Sequence, residues 1–142
     1  VDTDDPLGVC IRMANGKSVE YLSFGKDRIA LHFAGLSYPM DTTNGMHTYR
    51  IVLKKKDIQV YADGRLVIDG RGRFTTPSSD QKNWLKLYFG GADWNKRSLL
   101  FGSATGPGTG EAYWEYIRFT SSARPLMLRD MFVTVQYHKK TT

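Results

Sequence analysis

The sequence predicts an all-β fold, an antiparallel β-sandwich of many short strands. Three observations carry that expectation. Residues 46–69, MHTYRIVLKKKDIQVYADGRLVID, alternate with a period of two, the mark of half-buried strands. Turn signals recur along the chain every 8–12 residues or so, about the spacing of sandwiches and jelly rolls. No segment places its apolar residues at a helical period, and no internal repeat or linker interrupts the chain. At 142 residues the chain fits one domain, taken as 1–142. A chain of this length buries roughly two-thirds of its unfolded surface and needs no disulfide or metal to fold.

Residues 1–6 are an acidic lead-in. The chain opens on Val1 with neither a Met nor a basic-then-apolar leader, which suggests a processed protein or an excised domain. Strands are expected at 7–14 and 17–24, joined at Asn15-Gly16, a strong short-range hairpin signal. A further strand is expected at 28–33, followed by a loop over 34–45 that holds Pro39, Asp41, Asn44 and Gly45. In 46–54, His47, Tyr49, Ile51 and Leu53 share one face; in 57–63, Ile58, Val60 and Ala62 do. Asp63-Gly64 is a tight turn, because both residues tolerate positive φ, and 65–69 closes the meander. A polar loop spans 70–83, and strand 84–90 sets Leu85, Leu87 and Phe89 against Trp84, Lys86 and Tyr88. Strands near 99–102, 111–120 and 130–137 complete the expected set. The expected core is built from Ile51, Leu53, Ile58, Val60, Leu85, Leu87 and Phe89.

The net charge of +6 and pI near 9.5 fit three partners: nucleic acid, an acidic glycan, or water alone. The Lys and Arg residues are scattered, apart from Lys54–Lys56 in a hairpin turn and Lys139-Lys140 in the tail, and this argues against nucleic acid. No apolar run reaches the roughly 18 residues of a membrane-spanning helix. Cys10, between Val9 and Ile11, reads as a buried structural thiol that forms no internal disulfide. His32, His47 and His138 lack metal-ligand spacing. TGPGTG at 105–110 lacks the G-K-[ST] ending of a phosphate loop and reads as a connector.

HTYRIVLKKKDIQVYADGRLVIDG resembles the central meander of concanavalin A-like (laminin-G-like) jelly-roll domains. FGGADW, followed by GEAYWEYIRF, resembles their closing segment, and the likeness covers roughly 46–120. It implies a jelly roll of about ten to twelve strands in two sheets. It also implies attachment to secreted glycan-active proteins, hence an extracellular or periplasmic location. Relatives often hold a calcium ion, and here Asp4, Asp5 and Glu115 are the candidates, although Asp2, Asp4 and Asp5 do not follow the EF-hand loop pattern. A fold of this kind hosts many functions, so activity has to come from the residues.

Outward-facing aromatics beside donors suit a sugar surface, because rings stack on sugar faces while Arg, Lys and carboxylates bond the hydroxyls. Trp84, Lys86 and Tyr88 form one such row; Trp114, Tyr116 and Arg118 form a second. Trp94 stands in a glycine-flanked loop with Asp93, Asn95, Lys96 and Arg97. The bland alternative is that these aromatics face the second sheet, a neighbouring domain or the core. Glu111 and Glu115 are the candidate catalytic pair, and glucanases of the superfamily use E-x-D-x-E. Here Tyr113 holds the middle position, and Glu115 shares a face with Ile117 and Phe119, which would bury it and require a partner. The leading expectation is a non-catalytic domain that binds an oligo- or polysaccharide, with the basic balance favouring an acidic one. The others are a structural protein-contact domain and a glycan hydrolase or lyase. Glycan binding without turnover, a dimer silent on glycans, or reducing-end release abolished by Glu115→Gln would separate the three.

Overall fold

The computed structural model describes residues 2–3, 7–78, 97–102, 110–121 and 131–137. Those residues hold twelve strands and no α-helix. In chain order they are β1 (Asp2–Thr3), β2 (Cys10–Asn15), β3 (Val19–Phe24), β4 (Arg28–Leu31), β5 (Leu36–Pro39) and β6 (His47–Lys54). There follow β7 (Asp57–Ala62), β8 (Arg65–Gly70), β9 (Arg97–Gly102), β10 (Gly110–Glu111), β11 (Trp114–Ser121) and β12 (Met131–Tyr137). Two five-stranded antiparallel sheets form, in the orders β5-β4-β3-β2-β9 and β11-β12-β6-β7-β8, and β1 pairs with β10 in a small ribbon.

The sheets make a sandwich because each has an apolar face. Ile11, Met13, Leu22, Phe24, Ile29 and Leu31 of the first meet Tyr49, Ile51, Leu53, Ile58, Val60 and Ile68 of the second in one cluster. Each such side chain contributes on the order of 1.5–3 kcal/mol by leaving water. Ile51, Leu53, Ile58 and Val60 are buried, as their alternation requires; Leu85, Leu87 and Phe89 lie outside the described residues. Gly70 pairs with Ile58, and a Cβ there would stand 2.7 Å from both Cγ2 and the carbonyl oxygen of Ile58. A side chain has no room at that position.

The turns follow local chemistry. Asp63 and Gly64 have φ of 49° and 83°, the left-handed pair expected between β7 and β8. The Asp63 carboxylate accepts the Thr48 N–H at 2.9 Å and so ties the turn to β6. The β2–β3 turn lies one residue later than Asn15-Gly16: Ala14 pairs with Val19, the Asn15 N–H donates to the Ser18 carbonyl at 3.1 Å, and Gly16 and Lys17 turn the chain, with Asn15 Oδ1 accepting the N–H groups of Lys17 and Ser18, both at 2.9 Å.

Two expectations are corrected. The loop over 34–45 contains a strand, β5, paired with β4 from Arg28↔Pro39 to Leu31↔Leu36. The expected strand 111–120 is divided into β10 and β11, with residues 112–113 outside both.

Candidate functional site

β11 carries the residues on which the expected second aromatic row depends. Its register against β12 shifts between Trp114 and Tyr116. An extra residue at such a shift leaves two consecutive side chains on the same side. Trp114 and Ile117 both pack on the core, while Glu115 and Tyr116 between them are exposed. The row Trp114–Tyr116–Arg118 is therefore split: Trp114 turns inward and Tyr116 outward. Arg118 is placed by backbone register alone, opposite Thr134.

Trp114 is an edge residue as well as a core one. Its ring meets Phe24 of β3 edge-on at 6.0 Å and lies tilted against Phe101 of β9 at 5.9 Å. Phe101 pairs with Ile11 but is 57% exposed, and Tyr116 is 43% exposed. Phe101 and Trp114 thus meet across the β9 and β11 edges of the two sheets, while Tyr116 stands exposed on the outer face of β11. Arg97 stands exposed at the start of β9. Phe101 was missed in the sequence because it ends an unremarkable run, RSLLFG, whose edge position is not written in its composition.

The acidic candidates stand apart. Glu111 lies in β10 and accepts the hydroxyl hydrogen of Tyr113, which raises that phenol above its ordinary pKa through the hydrogen bond first and burial second. Glu115 lies in β11 and is exposed rather than buried beside Ile117, because the register shift turns it outward. The strand geometry that would align the two carboxylates is absent. Among the described residues no three His, Cys, Asp or Glu side chains come together to hold a metal ion. Trp84, Lys86, Tyr88, Asp93, Trp94, Asn95, Asp4 and Asp5 lie outside the described residues.

The far face of the meander carries a second group of polar and aromatic side chains. Arg50 sits opposite Tyr61, and its guanidinium carbon is 4.4 Å from the Tyr61 ring centroid. Gln59 sits opposite Asp69, which holds Arg71 through Nε at 3.0 Å and Nη2 at 2.7 Å. That hydrogen bond holds Asp69 below its ordinary pKa. At the β7–β8 turn, His47 Nδ1 lies 2.7 Å from Asp63 Oδ2, and His47 Nε2 lies 2.7 Å from Asn44 Oδ1. Burial works to raise Asp63, but the bonds from His47 and the Thr48 N–H outweigh it and hold the carboxyl low.

The first sheet buries a different set. Arg12 is 2% exposed; it donates from Nη1 to Ser98 Oγ at 3.0 Å, while its Nε and Nη2 make no hydrogen bond among the described residues. Burial lowers its pKa, and neighbouring Tyr21 partly restores it. Cys10, on the same strand, is buried and, as the one cysteine of the chain, forms no disulfide within it.

The chain matches no protein-family model, no curated protein and no solved structure. Its function is therefore argued from these side chains alone. No helix among the described residues is long and apolar enough to cross a membrane.

Proposed function

We propose that the chain is a non-catalytic carbohydrate-binding domain, a concanavalin A-like jelly roll that serves as an accessory module of a secreted glycan-active protein. One observation carries the reading: two large aromatics stand exposed on the edge strands β9 and β11, Phe101 beside the ring of Trp114 and Tyr116 on the outer face of β11. Large exposed aromatics mark a contact surface, and sugar faces stack on such rings. The jelly-roll assignment is supported by the chain path. After β5 the chain crosses to the second sheet, returns to the first at β9 and crosses again at β11, so that strands distant in sequence become neighbours, as β12 and β6 do. A non-catalytic role is favoured by the separation of Glu111 and Glu115 onto different strands, since hydrolysis requires two carboxylates at a set spacing.

A glycan-array screen followed by titration of the best hit tests the reading. Phe101→Ala and Tyr116→Ala should each weaken binding by about 1–3 kcal/mol, by analogy with base stacking. Trp84→Ala and Trp94→Ala extend the test to aromatics named from sequence alone. Retained affinity in all four folded variants, or reducing-end release by the wild type, would overturn it.

A further inference from the structure

The strands of the meander hold an arginine that is positioned but unused. Arg50 holds its guanidinium carbon 4.4 Å from the Tyr61 ring centroid, on the face of the sheet turned away from the core. That cation–π contact positions the group, and its five N–H donors form a fork that suits a planar anion. The acids nearby are otherwise engaged. Asp57 Oδ1 accepts the Gly72 N–H at 2.7 Å, Asp63 holds His47 and the Thr48 N–H, and Asp69 holds Arg71. No acidic side chain among the described residues pairs with Arg50. Lys54 and Arg65, exposed on the same three strands, add further positive charge.

We infer that Arg50, held in place by Tyr61, reads a carboxylate on the ligand, so that the glycan is a uronic acid polysaccharide rather than a neutral one. The inference rests on the glycan-binding reading and deepens it. A carboxylate is planar and matches the guanidinium fork through two parallel hydrogen bonds. Tyr116 faces outward on β11, two strands away from β6 through β12. Those two steps span about 10 Å, a distance that an extended glycan covers in a couple of rings. A chain stacked on Tyr116 and running across the strands would bring a later ring to Arg50.

The test is affinity electrophoresis and calorimetry on the full chain, with polygalacturonate, its methyl ester, dextran sulfate and neutral xylan as probes. Polygalacturonate should bind, and its methyl ester should bind about tenfold more weakly or worse, because the charged hydrogen bond is lost. Arg50→Gln should abolish the difference between the two. Arg50→Lys should restore it only in part, and Tyr61→Phe, which keeps the ring, should leave it intact. Arg50 is exposed, so both variants should keep the wild-type melting temperature. Binding of methyl ester and acid alike, or an Arg50→Gln variant that still prefers the acid, overturns the inference while glycan binding stands. Equal binding of dextran sulfate and polygalacturonate, both lost alike as salt rises, means plain charge attraction and also overturns it. If no probe binds and the array is silent too, the glycan-binding reading fails along with this one.

Discussion

The hairpin β2–β3 and the meander β6–β8 are built from the same kind of strand and meet water differently. In the meander, burial alternates: Tyr49, Ile51 and Leu53 are buried while Arg50 and Lys54 are exposed. In β3 every residue is buried, and in β2 every residue but the last. Their inner face joins the main core; the other face holds a second cluster of Cys10, Ala14, Val19 and Tyr21, with Leu7 and Phe33 packed against it. The meander is thus a one-sided sheet with its outer face open to water, and the hairpin is an interior element. Polar residues follow suit. On the meander they are wet and weakly coupled, whereas in the hairpin they must be satisfied from within.

The largest expected effect tests whether the second face of the hairpin is a true core. Tyr21 packs edge-on against His32 at 6.2 Å and Phe33 at 5.7 Å. Tyr21→Ala should cost about 3–5 kcal/mol, as much as Phe24→Ala on the inner face. Tyr61→Ala, on the wet face of the meander, should stay below about 1 kcal/mol. Urea denaturation of the three variants measures this; equal losses for Tyr21→Ala and Tyr61→Ala would erase the distinction between the two sheets.

Next comes Glu20, 1% exposed, whose Oε1 accepts the N–H groups of Tyr21 and Phe33 and whose Oε2 accepts that of Ala34, each at 2.8 Å. It ties β3 to the turn after β4. Burial pushes its pKa up, and the three N–H groups only partly restrain the rise. Glu20→Gln turns an amide NH2 toward a backbone N–H and should cost about 1–3 kcal/mol. The sign of the pH dependence follows from the raised pKa. The contribution of Glu20 protonation is complete below the ordinary carboxylate range and is lost as pH rises through the folded-state value. The stability gap between wild type and Glu20→Gln should therefore narrow with rising pH across that window. A gap that is flat with pH would show that Glu20 titrates as it does in the unfolded chain. Asp69→Asn, on the meander surface, should change stability far less than Glu20→Gln, because solvent screens its pairing with Arg71.

The same contrast explains what could be read in the sequence. The meander was legible because its alternation is undiluted: Ile51, Leu53, Ile58 and Val60 are buried, and Asp63-Gly64 turns left-handed. Counting back from the Lys55–Lys56 turn even pairs Arg50 with Tyr61. The hairpin was legible as strands, but its two-sided burial was not, because Arg12 and Ser23 look like an outward face although both are buried, and Glu20 shares the parity of Leu22 and Phe24. β5 was hidden by its brevity and by Pro39, which a strand tolerates at an edge position. The register shift in β11 leaves no compositional mark, since YWEYIRF carries aromatics at both parities. Hence the sequence leaves inside and outside open along this strand, where Tyr116 is exposed and Trp114 packs on the core.

The smallest effect concerns how the meander holds its own turns. Lys54 pairs with Asp57, so Lys55 and Lys56 alone turn the chain, and Lys55 takes a φ of 55°. A left-handed conformation costs an L-residue with a Cβ roughly 1–2 kcal/mol, which Asp and Gly at the next turn largely avoid. Lys55 also sits between two like charges, Lys54 and Lys56. Lys55→Gly removes both penalties but frees the unfolded chain, which takes back about 0.5–1 kcal/mol. The net expectation is a gain of about 0.5 kcal/mol, larger at low salt, where the lysines repel each other more. Lys55→Val should lose stability instead, because a β-branched residue resists positive φ. Thermal melts of both variants at two salt concentrations decide the matter. If Lys55→Val matches wild type, the turn is relaxing by another route, and the meander depends on its neighbours in the sheet more than its one-sided pattern implies.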